Sequence, residues 1–161
     1  MTVRVSLNGE WQLVHFREGE HPVAHPDDLA TIRIEPISAQ VPGNVELDLM
    51  RAGILPDPFY ADQIRGLRLY ETHEWWYMRE FSLPGDTSGG EWDIVFEGLD
   101  TLATVWVNGI EVGSSANQLV EQRFDVTPAL RREKGSVNQV VVRLCSPLNA
   151  ARRCLYDVAS M

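Results

Sequence analysis

The chain has 161 residues, a formal net charge of −9 and 44% apolar residues, which is enough apolar content for one buried core in one domain. The negative balance excludes a nucleic-acid surface, which needs a basic field to displace counterions, and it disfavours docking on anionic lipid. No run approaches the ~18 apolar residues of a membrane span, and two cysteines, Cys145 and Cys154, are too few for a disulfide framework and match no zinc spacing.

Val3-Arg4-Val5-Ser6-Leu7 opens the chain with strand-like alternation and no signal-peptide core before it, so the expected location is cytoplasmic, with both thiols reduced. Short alternating runs separated by turn residues then dominate. Trp11, Leu13 and His15 alternate with Gln12 and Val14 after Asn8-Gly9. Residues 18–28, with Gly19, Pro22 and Pro26, read as a loop, and Thr31–Ile34 alternates as a strand. Val41-Pro42-Gly43-Asn44 is a turn whose Asn44 caps a short helix over 45–52, with Gly53 just past its end. Residues 54–68 hold Pro56, Asp57 and Pro58 and read as a long irregular excursion, a feature that in compact domains often carries function.

The clearest strand covers 74–83. Trp75, Tyr77, Arg79, Phe81 and Leu83 share one face, and Trp76, Met78, Glu80 and Ser82 the other. An arginine on that aromatic face predicts a partner carboxylate. Trp92, Ile94 and Phe96 alternate in the next strand. Asn108-Gly109, between Ala103–Val107 and Ile110–Gly113, predicts a type I′ hairpin. Phe124–Val126 and Val140–Leu144 complete the strands. Ser146-Pro147 starts a helix, and Leu148, Ala151, Leu155 and Val158 carry its spacing over 147–158. Close-spaced strands, tight hairpins and little helix predict an all-β sandwich or jelly roll, with residues 1–161 as a single domain.

Chemistry-bearing motifs are few. The serines lack a Gly-x-Ser-x-Gly context. His15, His21, His25 and His73 do not fall at metal-ligand spacing, and there is no glycine-rich phosphate loop. Glycosidase chemistry needs two carboxylates at a fixed separation, about 5–5.5 Å for retention, and a sequence does not show one. No catalytic residue, metal or cofactor is assigned. The five tryptophans, Trp11, Trp75, Trp76, Trp92 and Trp106, suit a core of large rings on alternate strand positions. A sugar ring also stacks on an indole, and the neighbours Trp75 and Trp76 point to opposite faces, so one of them must approach the surface.

Several segments, in order, resemble the family 2 glycoside hydrolases. Leu7-Asn8-Gly9-Glu10-Trp11 is similar to their opening strand. Val41-Pro42-Gly43-Asn44-Val45, Asp48-Leu49, Gly53-Ile54 and Asp57-Pro58-Phe59-Tyr60 resemble the β-mannosidase branch. Trp76–Phe81, and Phe96–Ala103 leading into Val105–Gly109, are similar to strands shared with β-glucuronidases and β-galactosidases, and Phe124–Thr127 and Ser146-Pro147 fit as well. The resemblance implies a galactose-binding-domain-like jelly-roll β-sandwich at the front of an enzyme whose later barrel carries both catalytic glutamates. By that implication the chain alone is inactive. The whole enzyme would hydrolyse β-linked glycosides by retaining double displacement, with this domain buttressing the barrel and shaping the pocket.

The resemblance further implies that the loop after Pro58 helps wall the sugar subsite. Asp57, Asp62 and Gln63 in this region, together with Trp75 and Trp76 from the stacking argument, are the substrate-binding candidates. Where the family pattern has Asn-Glu, this chain has Asp62-Gln63, and where a Trp often follows, it has Leu69-Tyr70. In the β-mannosidase branch a helical excursion after Ser-Pro precedes the last strands. The chain ends inside that excursion, so truncation and a homodimer through an unclosed sheet edge are expected. The expected partner is carbohydrate, with no nucleic acid and no membrane. The competing readings are a stand-alone carbohydrate-binding module and an interaction domain of a degenerate gene product.

Overall fold

The computed structural model describes residues 3–56, 63–84 and 89–153. Among the described residues, eight strands form two antiparallel sheets. They are β1 (Gly9–Arg17), β2 (Ile37–Val41), β3 (His73–Phe81), β4 (Asp93–Phe96), β5 (Leu102–Val107), β6 (Ile110–Ser115), β7 (Gln122–Asp125) and β8 (Asn138–Cys145). The large sheet runs β2-β1-β3-β8-β5-β6, and β4 and β7 pair as a separate ribbon. The all-β sandwich expected from the turn-separated alternation is present.

Alternation along the strands loads both faces of the large sheet with apolar side chains. One face carries Trp11, Ala103, Val105, Val107, Val140 and Val142, packed with Ile94 and Val126 from the ribbon side. The other carries Val14, Phe16, Trp76, Trp106 and Val141 beneath Val23, Leu29, Ile32 and Ile34. The expected strand at Thr31–Ile34 does not form. A 3-10 turn occupies Pro26–Thr31, and its N-cap His25 and Asp28 complete a reciprocal capping box. Ile32 and Ile34 follow it as a partly buried cover on the second face, and pairing begins only at Ile37.

The tight turns follow their sequence signals. Asn108 and Gly109 both take positive φ, 51° and 79°, which a type I′ turn requires, and Val107 faces Ile110 across it. Asn108 also ties the hairpin to the sheet end. Its amide donates to Ala129 O and to Oδ1 of the fully buried Asn138, 2.8 Å each. Helix α1 (Val45–Arg51) starts where expected, with Asn44 Oδ1 accepting from Leu47 N. Helix α2 (Pro147–Arg153) is capped by Ser146 Oγ, which accepts from Asn149 N. The predicted continuation to residue 158 lies outside the described residues.

Arg79 departs from expectation. In place of a carboxylate, its Nη1 donates to the carbonyls of Asn8 and Glu10, 3.1 and 3.0 Å away. The chain bends over the guanidinium at Gly9, and backbone oxygens satisfy a charge that a side chain was expected to meet. The buried ion pair of this sheet is instead Glu74–Arg143 on the opposite face. Arg143 Nε donates to Glu74 Oε2 at 2.9 Å while its guanidinium lies over the Trp76 ring.

Candidate functional site

Registry across β1 and β3 gathers a cluster of four rings at one end of the sheet. His15 stands opposite Trp75, and Arg17 opposite His73, in the antiparallel ladder. Residues two apart on a strand share a face, so His15, His73 and Trp75 all project from the ribbon-side face. They lie at the sheet end where β1 finishes and β3 begins. The His15 ring stacks on Trp75, with centroids 4.9 Å apart and planes 27° apart. Tyr70, the last residue of a 3-10 helix over Gln63–Tyr70, places its ring 5.9 Å from His15, 5.0 Å from His73 and 6.3 Å from Trp75.

The two imidazoles meet edge on, Nδ1 to Nδ1, at 3.1 Å. Burial, then the neighbouring His73, pushes the His15 ring down to about 4. His73 is also lowered, first by burial and then by the charge of Arg17, with Glu20 acting in the opposite sense. Both rings are thus held toward their neutral forms, because a charged imidazole loses hydration there.

The sequence candidates separate on this geometry. Trp75 is half-buried and belongs to the ring cluster. Trp76 is fully buried and stacks on Trp106, centroids 5.5 Å apart. It is a core residue and presents no surface, so of the two neighbours Trp75 is the one that reaches outward. Gln63 opens the 3-10 helix that ends at Tyr70. Asp57 and Asp62 lie outside the described residues. The start of the excursion is fixed on α1, since Ile54 N and Leu55 N both donate to Leu49 O. Asp48 on that helix is fully buried, and Arg51 Nη1 donates to its Oδ1 at 2.8 Å. Burial, then the carboxylates of Asp48 and Glu46, raises the Tyr77 phenol well above its ordinary value.

His15 and His73 did not stand out in the sequence because they are 58 residues apart and form no ligand motif. The available signal was that each falls on the same face of a strand as the large aromatics. Two surface clefts, of about 320 Å³ beside α1 and about 550 Å³ at the Asn108–Gly109 turn, are lined mainly by polar and charged side chains, and neither includes Trp75. Among the described residues no three His, Cys, Asp or Glu side chains are grouped to hold a metal ion, and no helix is long and apolar enough to cross a membrane.

A family model described as glycosyl hydrolase 2 galactose-binding domain-like matches residues 14–157. The chain belongs to that family. Its relatives include β-mannosidase B of Thermothelomyces thermophilus, 33% identical over 131 residues that make up 81% of this chain and 14% of that protein. The β-mannosidase of Capra hircus is 31% identical over 149 residues, 91% of this chain and 15% of that protein. The crystal structure of a β-D-mannosidase from Dictyoglomus thermophilum superposes with a TM-score of 0.75 at 27% identity, covering 94% of this chain and 17% of that one. A β-glucuronidase from Ruminococcus gnavus shares the fold, with a TM-score of 0.60 at 22% identity. The galactose-binding-like domain described here therefore corresponds to a small part of β-mannosidase-like family 2 enzymes, spanning 14–15% of the length of the two relatives named.

Proposed function

We propose that this domain serves as the non-catalytic N-terminal unit of a β-mannosidase-type glycoside hydrolase acting on β-linked glycosides. The observation that carries the reading is the family match over residues 14–157, combined with relatives that are several times longer. The domain's work is mechanical and steric. Its rigid sheet carries the segment between α1 and β3, anchored at one end on Leu49 and at the other by Tyr70 in the ring cluster. Such a segment can form one wall of a sugar pocket completed by other parts of the enzyme. Asp57, Asp62, Gln63 and Trp75 are the side chains proposed to line that wall.

The test is an assay of the purified chain on a nitrophenyl β-mannoside. No release of nitrophenol above the blank is expected. Hydrolysis that scales with chain concentration and survives further purification would overturn the reading.

The half-exposed Trp75 also supports a second reading, in which the isolated domain binds sugar. NMR titration with mannose separates the two. Shifts around Trp75 that vanish in Trp75→Ala favour the binding module. Self-association belongs to the same proposal. Among the described residues, both outer edges of the β4–β7 ribbon lack a strand partner, and an unpaired edge is a template for another chain. Sedimentation velocity should show dimers at high concentration, and a monodisperse monomer would remove this part.

A further inference from the structure

The His15–His73 contact has a geometry that requires a single hydrogen between its two Nδ1 atoms. The Nδ1 atoms are 3.1 Å apart and the ring centroids 5.3 Å, so the two rings meet almost in line. An in-line N···N contact of this length is a hydrogen bond. It requires one ring to donate Nδ1–H while the other keeps a bare Nδ1 and carries its proton on Nε2. Tyr70 packs on both rings, so the pair lies directly under the end of the 3-10 helix.

We propose that this imidazole pair is an acid-sensitive latch, which holds the 3-10 helix Gln63–Tyr70 on the sheet at neutral pH and lets it go when both rings become charged. The two protons are taken up in order. The first binds the free Nε2 of the donor ring, which leaves the Nδ1–H···Nδ1 bond intact and makes it charge-assisted. The second must bind the acceptor Nδ1. It replaces the hydrogen bond with two N–H groups pointing at each other and two positive charges about 3 Å apart.

The charged groups acting on the pair from its neighbours are Arg17 on β1, which opposes protonation, and Glu20 in the following turn, which favours it. The 3-10 helix contributes the Tyr70 phenol. On β3, Trp75 supplies a neutral ring, and Glu74 is on the opposite face, engaged by Arg143. Glu20 and Arg17 act on His73 in opposite senses, and Glu20 Oε2 already accepts from Arg17 N. The latch stands on this geometry alone. Its consequence for a sugar pocket rests on the reading above.

Hydrogen exchange of the whole chain tests it, comparing protection at residues 66–72 with that of β8 at pH 7 and at pH 4, after correction for intrinsic rates. Release should cost the 66–72 amides about tenfold more protection than β8, because the open state binds the second proton more readily. His73→Gln keeps an N–H donor for His15 without a second charge and should abolish the acid-specific loss. His15→Gln provides the same test if the first variant folds poorly. Equal losses at both places in the wild type, or an undiminished loss in the glutamine variants, would overturn the latch. The readout involves no sugar, so its failure leaves the proposed enzyme role standing, and failure of that role leaves the latch standing.

Discussion

Gly113→Ala measures how tightly the ribbon closes on the large sheet. A Cβ built at Gly113 would lie 2.2 and 2.3 Å from Cδ1 and Cε1 of Phe124, and 3.0 Å from Cγ. Carbon atoms rest about 3.5–4.0 Å apart, so the ring or one of the strands must move by more than 1 Å. Gly113 has none of the positive φ seen at Gly109, so alanine meets no backbone strain there. At a tolerant site the exchange would stabilise by about 0.4–1 kcal/mol through the unfolded chain. Overpacking costs about 1–3 kcal/mol, and the balance is a loss of about 1–2 kcal/mol. For a chain of this size that corresponds to a fall in Tm of about 3–8 °C. Urea denaturation and thermal melts by circular dichroism check the value. Phe124→Ala removes Cγ, Cδ1 and Cε1 together, so a double-mutant cycle should return at least about 1 kcal/mol of coupling. A Gly113→Ala protein as stable as the wild type, or an additive cycle, would refute the packing argument.

Three further outcomes follow from the same structure. Trp76→Ala empties a fully buried site against Trp106 and should cost about 3–5 kcal/mol. Trp75→Ala, at a half-exposed site, should cost less than half of that, so equal losses in denaturant melts would contradict the assignment of the two neighbours. Glu74→Gln leaves Arg143 without its charge partner. Because the Arg143 side chain retains 23% exposure, the loss should be about 2–3 kcal/mol, below the ~3–5 kcal/mol typical of a fully buried pair. Stability should also fall as pH drops. The folded state holds His15 near 4 against an ordinary 6.5, so the unfolded chain binds the proton first and the loss accumulates between about pH 6.5 and 4. The full difference is worth about 3 kcal/mol; screening at a half-exposed ring leaves about 1–2 kcal/mol. In urea melts across that range the wild type should lose about 1–2 kcal/mol more than His15→Gln, and parallel losses would contradict the linkage.

How much was legible in the sequence depended on the range of the interaction. The strand alternation, the Asn44 and Ser146 caps and the Asn108–Gly109 turn were all readable, because each is decided by residues within a few positions of one another. The order of the family motifs was readable for the same reason, and it pointed to the galactose-binding-like domain that the family match bears out. Thr31–Ile34 alternates as well as several true strands do, but alternation does not specify a partner. The 3-10 turn capped by His25 and Asp28 left those residues with no strand to pair with. Arg79 needed a counter-group, and only the bend at Gly9 decided that it would be backbone oxygen. Adjacency fixed that Trp75 and Trp76 face opposite ways, while the packing of Trp106 on one side decided which was core. The ring cluster shows the division most clearly. Trp75 was a candidate from its own segment, but nothing within the segments of His15, Tyr70 and His73 joined them to it. Strand registry, set by the burial of every other residue along β1 and β3, brought two imidazoles 58 positions apart into hydrogen-bond contact at 3.1 Å.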